Sequence, residues 1–348
     1  MLRKLLWTSL LLAPVTVVVD RATGAGDVAL FVLAAVALVP LAWLIGESTE
    51  HAAEHTGPGI GGFLNASFGN APELIVALFA VGANLPVVVR GSLSGSVISN
   101  LLLVYGVTQL VGPDGARIDR RSLLVQIGLV GAAVVAFVIP TALGYTGPPE
   151  RHAVAVASVP VAIFLLLLYL AVVGRNLRRH REREREREEP AEGTWSLGTA
   201  LAALAVATGA TAWVSEILVH SLGAFAKAVG LSEFFISVVI VAVVGNAAEH
   251  GGAIVIARNG KMRLASEIAI SSSAQVALLV VPVVTLLSWL FTHHLALAFR
   301  WTELFAMAGS AVIVAATVWD GRSRRREGAF LVAAYAAAVI GFLLGGGR

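Results

Sequence analysis

Gly69-Asn70-Ala71-Pro72-Glu73 and Gly245-Asn246-Ala247-Ala248-Glu249 each set a carboxylate inside a long apolar stretch, and these two stretches decide how the chain folds. An ionised carboxylate is costly in hydrocarbon, so intramembrane acids face a wet cavity or a partner. No Lys or Arg lies in the apolar stretch near either glutamate, which argues against a structural ion pair. Two protonated glutamates bonded between helices are the plainer alternative, but that leaves their matching placement a coincidence.

The placement matches closely. Asn70 to Ser96 spans 26 residues, as does Asn246 to Ser272, and Glu73 to Ser99 repeats as Glu249 to Gln275. An acidic pair, Thr49-Glu50 or Ser215-Glu216, lies one apolar segment upstream of each motif. Fixed offsets of this kind indicate an internal duplication.

Composition supplies the medium. The chain of 348 residues is 57% hydrophobic and only 14% charged, against about 25% charged in soluble domains, and its mean hydropathy is +0.83. Only helices or closed barrels satisfy a backbone in lipid, and continuous apolar runs without alternation select helices. The expected fold is therefore all-α and transmembrane. Apolar segments fall at 5–19, 28–50, 63–85, 92–112, 122–143, 154–174, 196–220, 232–257, 264–291, 301–319 and 329–345, which makes eleven helices.

The first segment stands apart, with residues 1–27 as an N-terminal helix and loop. The other ten form two five-helix units, 28–174 and 195–348, joined by a charged cytoplasmic linker at 175–194. Five is odd, so the second unit enters the membrane from the opposite side. That gives inverted repeats, a transporter architecture with its site at the repeat interface. Residues 1–19 also resemble a signal peptide, but no A-x-A cleavage site follows and the topology works with the segment retained.

Of the 25 Lys and Arg, nineteen fall in one alternate set of connections, including Arg117, Arg258 and Arg322, and six in the other. That bias sets the N-terminus inside and the C-terminus outside. It also accounts for the pI of about 9.6 without nucleic acid. The run from Arg181 to Glu189 reads as a solvated linker. There is no cysteine, so disulfides and thiolate chemistry are excluded. No G-x-x-x-x-G-K-[ST] phosphate loop is present, so no nucleotide and no cofactor is expected. A compact chain without long tails suits a prokaryotic cytoplasmic membrane, and a homo-oligomer stays open.

Cation chemistry follows from the motif. Gly69 and Gly245 permit a helix break, and Pro72 removes a backbone donor. Freed carbonyls and the side-chain oxygens of Asn70 and Asn246 then join Glu73 and Glu249. Oxygen-only ligation by two acids suits a hard divalent cation, and Ca²⁺ tolerates irregular geometry. Vacated by metal, the same carboxylates take up protons, which is a basis for antiport. Ser96, Ser99, Asn100, Ser272 and Gln275 supply further polar positions, although single serines in membrane helices more often serve packing. Glu50 and Glu216 line an access path or are merely interfacial. One competing motif, His51-Ala52-Ala53-Glu54-His55, matches the H-x-x-E-H zinc-peptidase pattern and so raises an intramembrane metalloprotease using His51, Glu54 and His55.

Thr49-Glu50 and the run from Gly61 to Ile75, with Gly95-Ser96-Val97-Ile98-Ser99-Asn100, resemble the first repeat of Ca²⁺/H⁺ antiporters in the Ca²⁺/cation antiporter superfamily. Val244 to His250 and Ser272-Ser273-Ala274-Gln275 are similar to the second. The resemblance implies a secondary antiporter, not an enzyme, that exports cytosolic Ca²⁺ against inward H⁺ by alternating access. It implies Glu73 and Glu249 as the main Ca²⁺ and H⁺ ligands, with Asn70 and Asn246 assisting. Glu50 and Glu216 then belong to the cation path, and Ser99 and Gln275 line the centre. Na⁺/H⁺ or K⁺/H⁺ exchange is the nearest rival. Pro72, where the family usually has Thr, Ser271, where it usually has Gly, and the mixed Arg-Glu linker depart from the pattern.

Overall fold

The computed structural model describes residues 2–22, 24–183 and 195–345. Twelve helices are described: α1 Lys4–Ala22, α2 Asp27–Phe68, α3 Ala71–Gly82, α4 Pro86–Val111, α5 Arg120–Tyr145, α6 His152–Arg183, α7 Leu197–Val229, α8 Glu233–Gly245, α9 Ala247–Arg258, α10 Met262–Leu290, α11 Trp301–Val318 and α12 Arg325–Gly345. Most of the expected linker, 184–194, lies outside the described residues; 175–183 continue α6.

The sequence led to an expectation of eleven spans. Among the described residues nine helices are long and apolar enough to cross a membrane, ten if bent α8 and α9 count as one span. The segment expected at 63–85 falls on the end of α2 and on α3, either side of the break at Gly69-Asn70. Helix α2 continues for 42 residues through Gly57-Pro58 to Phe68, and α3 has only 12 residues. At about 1.5 Å per residue α3 is far shorter than a hydrocarbon core of about 30 Å.

The two halves of the chain interleave. Helix α7 packs along α2 and α3, while α4 packs against α8 and α12 and α5 against α10 and α11. Gly95 allows the α4–α8 crossing, since a β-carbon there would lie 2.1 Å from the Val238 carbonyl oxygen. Small residues that let backbones approach are the usual basis of packing in membranes. Two short strands, β1 (Ala116–Arg117) and β2 (Arg322–Ser323), pair antiparallel and join the loops after α4 and α11.

Between α10 and α11 the chain has no regular secondary structure yet is buried from Leu295 to Phe299. A buried segment of this kind must find other partners for its backbone. Ser288 Oγ and Ser158 Oγ accept from the amides of Leu295 and Leu297, each at 2.9 Å, and Arg90 donates to the Ala296 carbonyl at 3.1 Å. Arg90, which falls between the expected segments 63–85 and 92–112 and so counts among the six cations of the second set of connections, is buried in α4 and also pairs with Glu150 at 2.6 Å.

Candidate cation site

The two motifs fold alike at the backbone. Asn70 and Asn246 take φ −93°, ψ 14° and φ −93°, ψ 8°, ending one helix and starting the next. Each asparagine carbonyl accepts the first bond of the new helix, from Leu74 N at 3.1 Å and His250 N at 2.9 Å. Glu73 and Glu249 consequently sit in the first turns of α3 and α9, where the helix dipole favours negative charge. The second break bends α8 and α9 apart by 58°.

Side chains then cross between the halves. A β-carbon on Gly245 would meet Glu73 Cγ at 3.3 Å, so Glu73 rests directly on the second break. Both Glu73 oxygens are buried and have no hydrogen-bond partner among the described residues, whereas Glu249 Oε2 accepts from Ser272 Oγ. Asn70 Nδ2 donates to Gln275 Oε1 at 2.8 Å. Asn246 Nδ2 donates to Ser96 Oγ at 2.7 Å and to the Ala242 carbonyl at 2.8 Å, closing one carbonyl released by the break.

Asn100 ties these groups together. Its Nδ2 donates to Ser272 Oγ at 2.9 Å and Asn246 Oδ1 at 3.2 Å, and its Oδ1 lies 2.9 Å from His250 Nε2. Sequence reasoning noted Asn100 and His250 without joining them. The available signal was asymmetry: moved by the 176 residues that relate the motifs, Asn100 maps to Val276 and His250 to Leu74. A polar pair on one side of the site therefore corresponds to apolar residues on the other.

Glu73, Glu249, Asn70, Asn246, Ser96, Ser272 and Gln275 thus come together. Ser99 donates to the Ser96 carbonyl of its own helix at 3.2 Å and stays outside the cross-half bonds. Glu50 and Glu216 stand exposed on α2 and α7, and no hydrogen bond among the described residues joins their side chains to the cluster. Among the described residues no three His, Cys, Asp or Glu side chains converge as a metal group. A cation here would draw on two carboxylates plus neutral oxygens, the donor set of a hard ion.

The H-x-x-E-H residues make no peptidase centre. His55 Nε2 lies 2.6 Å from the Trp195 carbonyl, and His51 stacks on the Trp195 ring with centroids 4.6 Å apart. Both imidazoles fasten the start of α7 to α2, which corrects the metalloprotease reading.

Comparison with known proteins gives a consistent result. The family model described as sodium/calcium exchanger protein matches residues 27–177 and 199–344, one block in each half. The Ca²⁺/H⁺ antiporter ChaA of Bacillus subtilis is 40% identical over 324 residues, covering 90% of this chain and 92% of that protein. The solved structure of native YfkE superposes with a TM-score of 0.82 at 37% identity, covering 95% of this chain and 97% of the other. The crystal structure of the H⁺/Ca²⁺ exchanger CAX shares the fold, with a TM-score of 0.75 at 14% identity over 98% of this chain and 92% of that one.

Proposed function

The chain belongs to the sodium/calcium exchanger protein family, and from that premise we propose that it is a Ca²⁺/H⁺ antiporter whose cation site is built on Glu73 and Glu249. One observation carries the reading: Glu73 of the first half rests on the second half's helix break, four residues before Glu249, and both its oxygens lack a hydrogen-bond partner among the described residues. Two anionic ligands neutralise a divalent ion, while neutral oxygens from Asn70, Ser96, Ser272 and Gln275 stand close by. Asn246 Oδ1 joins them on exchanging its bond from Asn100.

Without metal, two neighbouring carboxylates in low dielectric hold protons rather than charge. Ca²⁺ and H⁺ therefore exclude each other, and alternating exposure of one site couples their movements in opposite directions. Two five-helix units of inverted topology supply the alternation. Helices α2 and α7, packed together and bearing exposed Glu50 and Glu216, are the elements that shift and guide cations inward. With the N-terminus inside a prokaryotic cytoplasmic membrane, the direction is Ca²⁺ export against H⁺ entry.

The test is Ca²⁺ uptake into inside-out vesicles under an imposed pH gradient. Wild type should accumulate Ca²⁺, and Glu73→Gln and Glu249→Gln should each lose at least nine-tenths of the rate. Wild-type transport by either variant would overturn the site. Uptake of Na⁺ or K⁺ in place of Ca²⁺ would instead overturn the ion assignment.

A further inference from the structure

Helix α4 does not stop being polar at the cation site. Its π-helical turn Ser99–Val104 widens the spiral and shifts the register by about one residue. Ser96, Asn100, Tyr105 and Gln109, at steps of four, five and four, therefore follow one another along one side of the helix. All four are buried. From Asn100 to Gln109 they cover about 13 Å of helix axis, enough to lead from the centre of a hydrocarbon layer to its edge.

The far end of this file meets α12 at close quarters. Gly328 lies against Gly106 and Gln109, where its β-carbon would be 2.6 Å from the Gly106 carbonyl oxygen and 2.8 Å from Gln109 Cβ. Ser266 of α10 stands beside the Tyr105 hydroxyl with Gln109, and the carboxylates of Glu327 and Asp320 act on that hydroxyl electrostatically. Glu327 itself is held by Arg324 through Oε1 at 3.3 Å, and Arg324 also pairs with Asp320. These groups lie at the membrane face that we read as cytosolic.

Several buried side-chain atoms here have no hydrogen-bond partner among the described residues: Tyr105 Oη, both amide atoms of Gln109, Ser323 Oγ and Glu327 Oε2. Tyr335 Oη, two turns along α12 from Gly328, shares that condition. Buried polar atoms are nearly always satisfied, by protein or by ordered water. A run of orphaned donors and acceptors in an otherwise apolar helix crossing marks a wetted path. The equivalent positions on α10 are Ser272, Val276, Val281 and Thr285, with valines in place of Asn100 and Tyr105, so the file is interrupted in the second half.

We propose that Asn100, Tyr105, Gln109 and Glu327 line a water-filled proton route between the cation site and the cytosolic face, separate from the path taken by Ca²⁺. Asn100 joins the route to Glu249 through Ser272. The Tyr105 hydroxyl and the intervening waters pass protons by exchange of hydrogen bonds, and Glu327 receives them at the exit. A file of single hydroxyl and amide groups has no set of anionic ligands to replace the hydration shell of Ca²⁺. The proposal rests on the antiport reading above and goes beyond it.

The test compares two transport modes in proteoliposomes: Ca²⁺ uptake driven by a pH gradient, and exchange of labelled for unlabelled Ca²⁺, which moves no protons. Tyr105→Phe removes one hydroxyl, and Gln109→Leu removes the amide at similar volume. Each should slow the proton-driven mode at least five-fold and leave Ca²⁺ self-exchange within two-fold of wild type. Glu327→Gln should slow the same mode and flatten its dependence on cytosolic pH. An unchanged proton-driven rate in all three variants would overturn the route, as would parallel loss of both modes. Failure of the antiport reading shows instead in the wild type, as self-exchange without proton-driven uptake.

Discussion

Glu73 packs its Cγ against Gly245, 3.3 Å from the place where any larger residue would set its β-carbon. The carboxylate of one half therefore leans on the helix break of the other. Gly245→Ala should push Glu73 by a few tenths of an ångström without disturbing the fold, since overpacking by one methyl is usually absorbed at about 1–3 kcal/mol. We expect Ca²⁺ affinity to fall several-fold while the detergent-solubilised melting temperature stays within a few degrees. Equilibrium Ca²⁺ binding and thermal melting on the same preparation separate the two. Wild-type affinity would show that Glu73 is not held there.

Gly95 gives the opposite balance. Its β-carbon would lie 2.1 Å from the backbone oxygen of Val238, which no side-chain rearrangement relieves. Gly95→Ala should force α4 and α8 apart and lower stability by more than about 2 kcal/mol. The expected readout is poor recovery of folded protein and a strongly depressed melting temperature. Gly128→Ala, where nothing lies within 4 Å, should behave as wild type.

Proton competition has a definite sign. Ca²⁺ needs deprotonated carboxylates, so acidification must weaken binding, by about ten-fold per pH unit for each carboxylate that is protonated in the free protein. Titrating Ca²⁺ binding between pH 8 and pH 6 should give a steadily rising dissociation constant. In Glu249→Gln residual binding should lose part of that slope. Affinity independent of pH would remove the basis for coupling.

Arg90 and Glu150 differ in what each leaves behind. Arg90 is buried, and its removal deprives both Glu150 and the Ala296 carbonyl of a donor. Glu150 is 37% exposed and can turn to water. Arg90→Met should therefore cost about 1–3 kcal/mol, and Glu150→Gln appreciably less. Melting temperatures of the two variants should fall in that order; the reverse order would mean that the segment 295–299 does not depend on Arg90.

The fold class and the cluster were legible because they rest on periodicity and spacing. Equal intervals from Asn70 to Ser96 and from Asn246 to Ser272 lead one to expect a shared site, and side chains do cross between the halves, Asn70 to Gln275 and Asn246 to Ser96, though not in equivalent pairs. Helix ends were less legible. Thr56-Gly57-Pro58 reads as a stop by the rules of aqueous helices, yet α2 passes through it. The bond between Asn100 and His250 lay beyond pattern reading because neither residue has a polar counterpart at the duplicated position. Arg90 was misplaced for a related reason: a lone cation near a helix start looks interfacial until Glu150, sixty residues on, is seen to meet it.

The packing of α7 along α2 and α3, and of α4 against α8, bears on how the protein is made. During synthesis the first 177 residues enter the bilayer with those faces still turned to lipid, awaiting helices not yet translated. Neither half is then an independent folding unit, and assembly must be completed late, as the second half arrives. Fragments divided at the linker should each be degraded when expressed alone and recover transport when expressed together. A stable, isolated first half would show that its core closes without its counterpart.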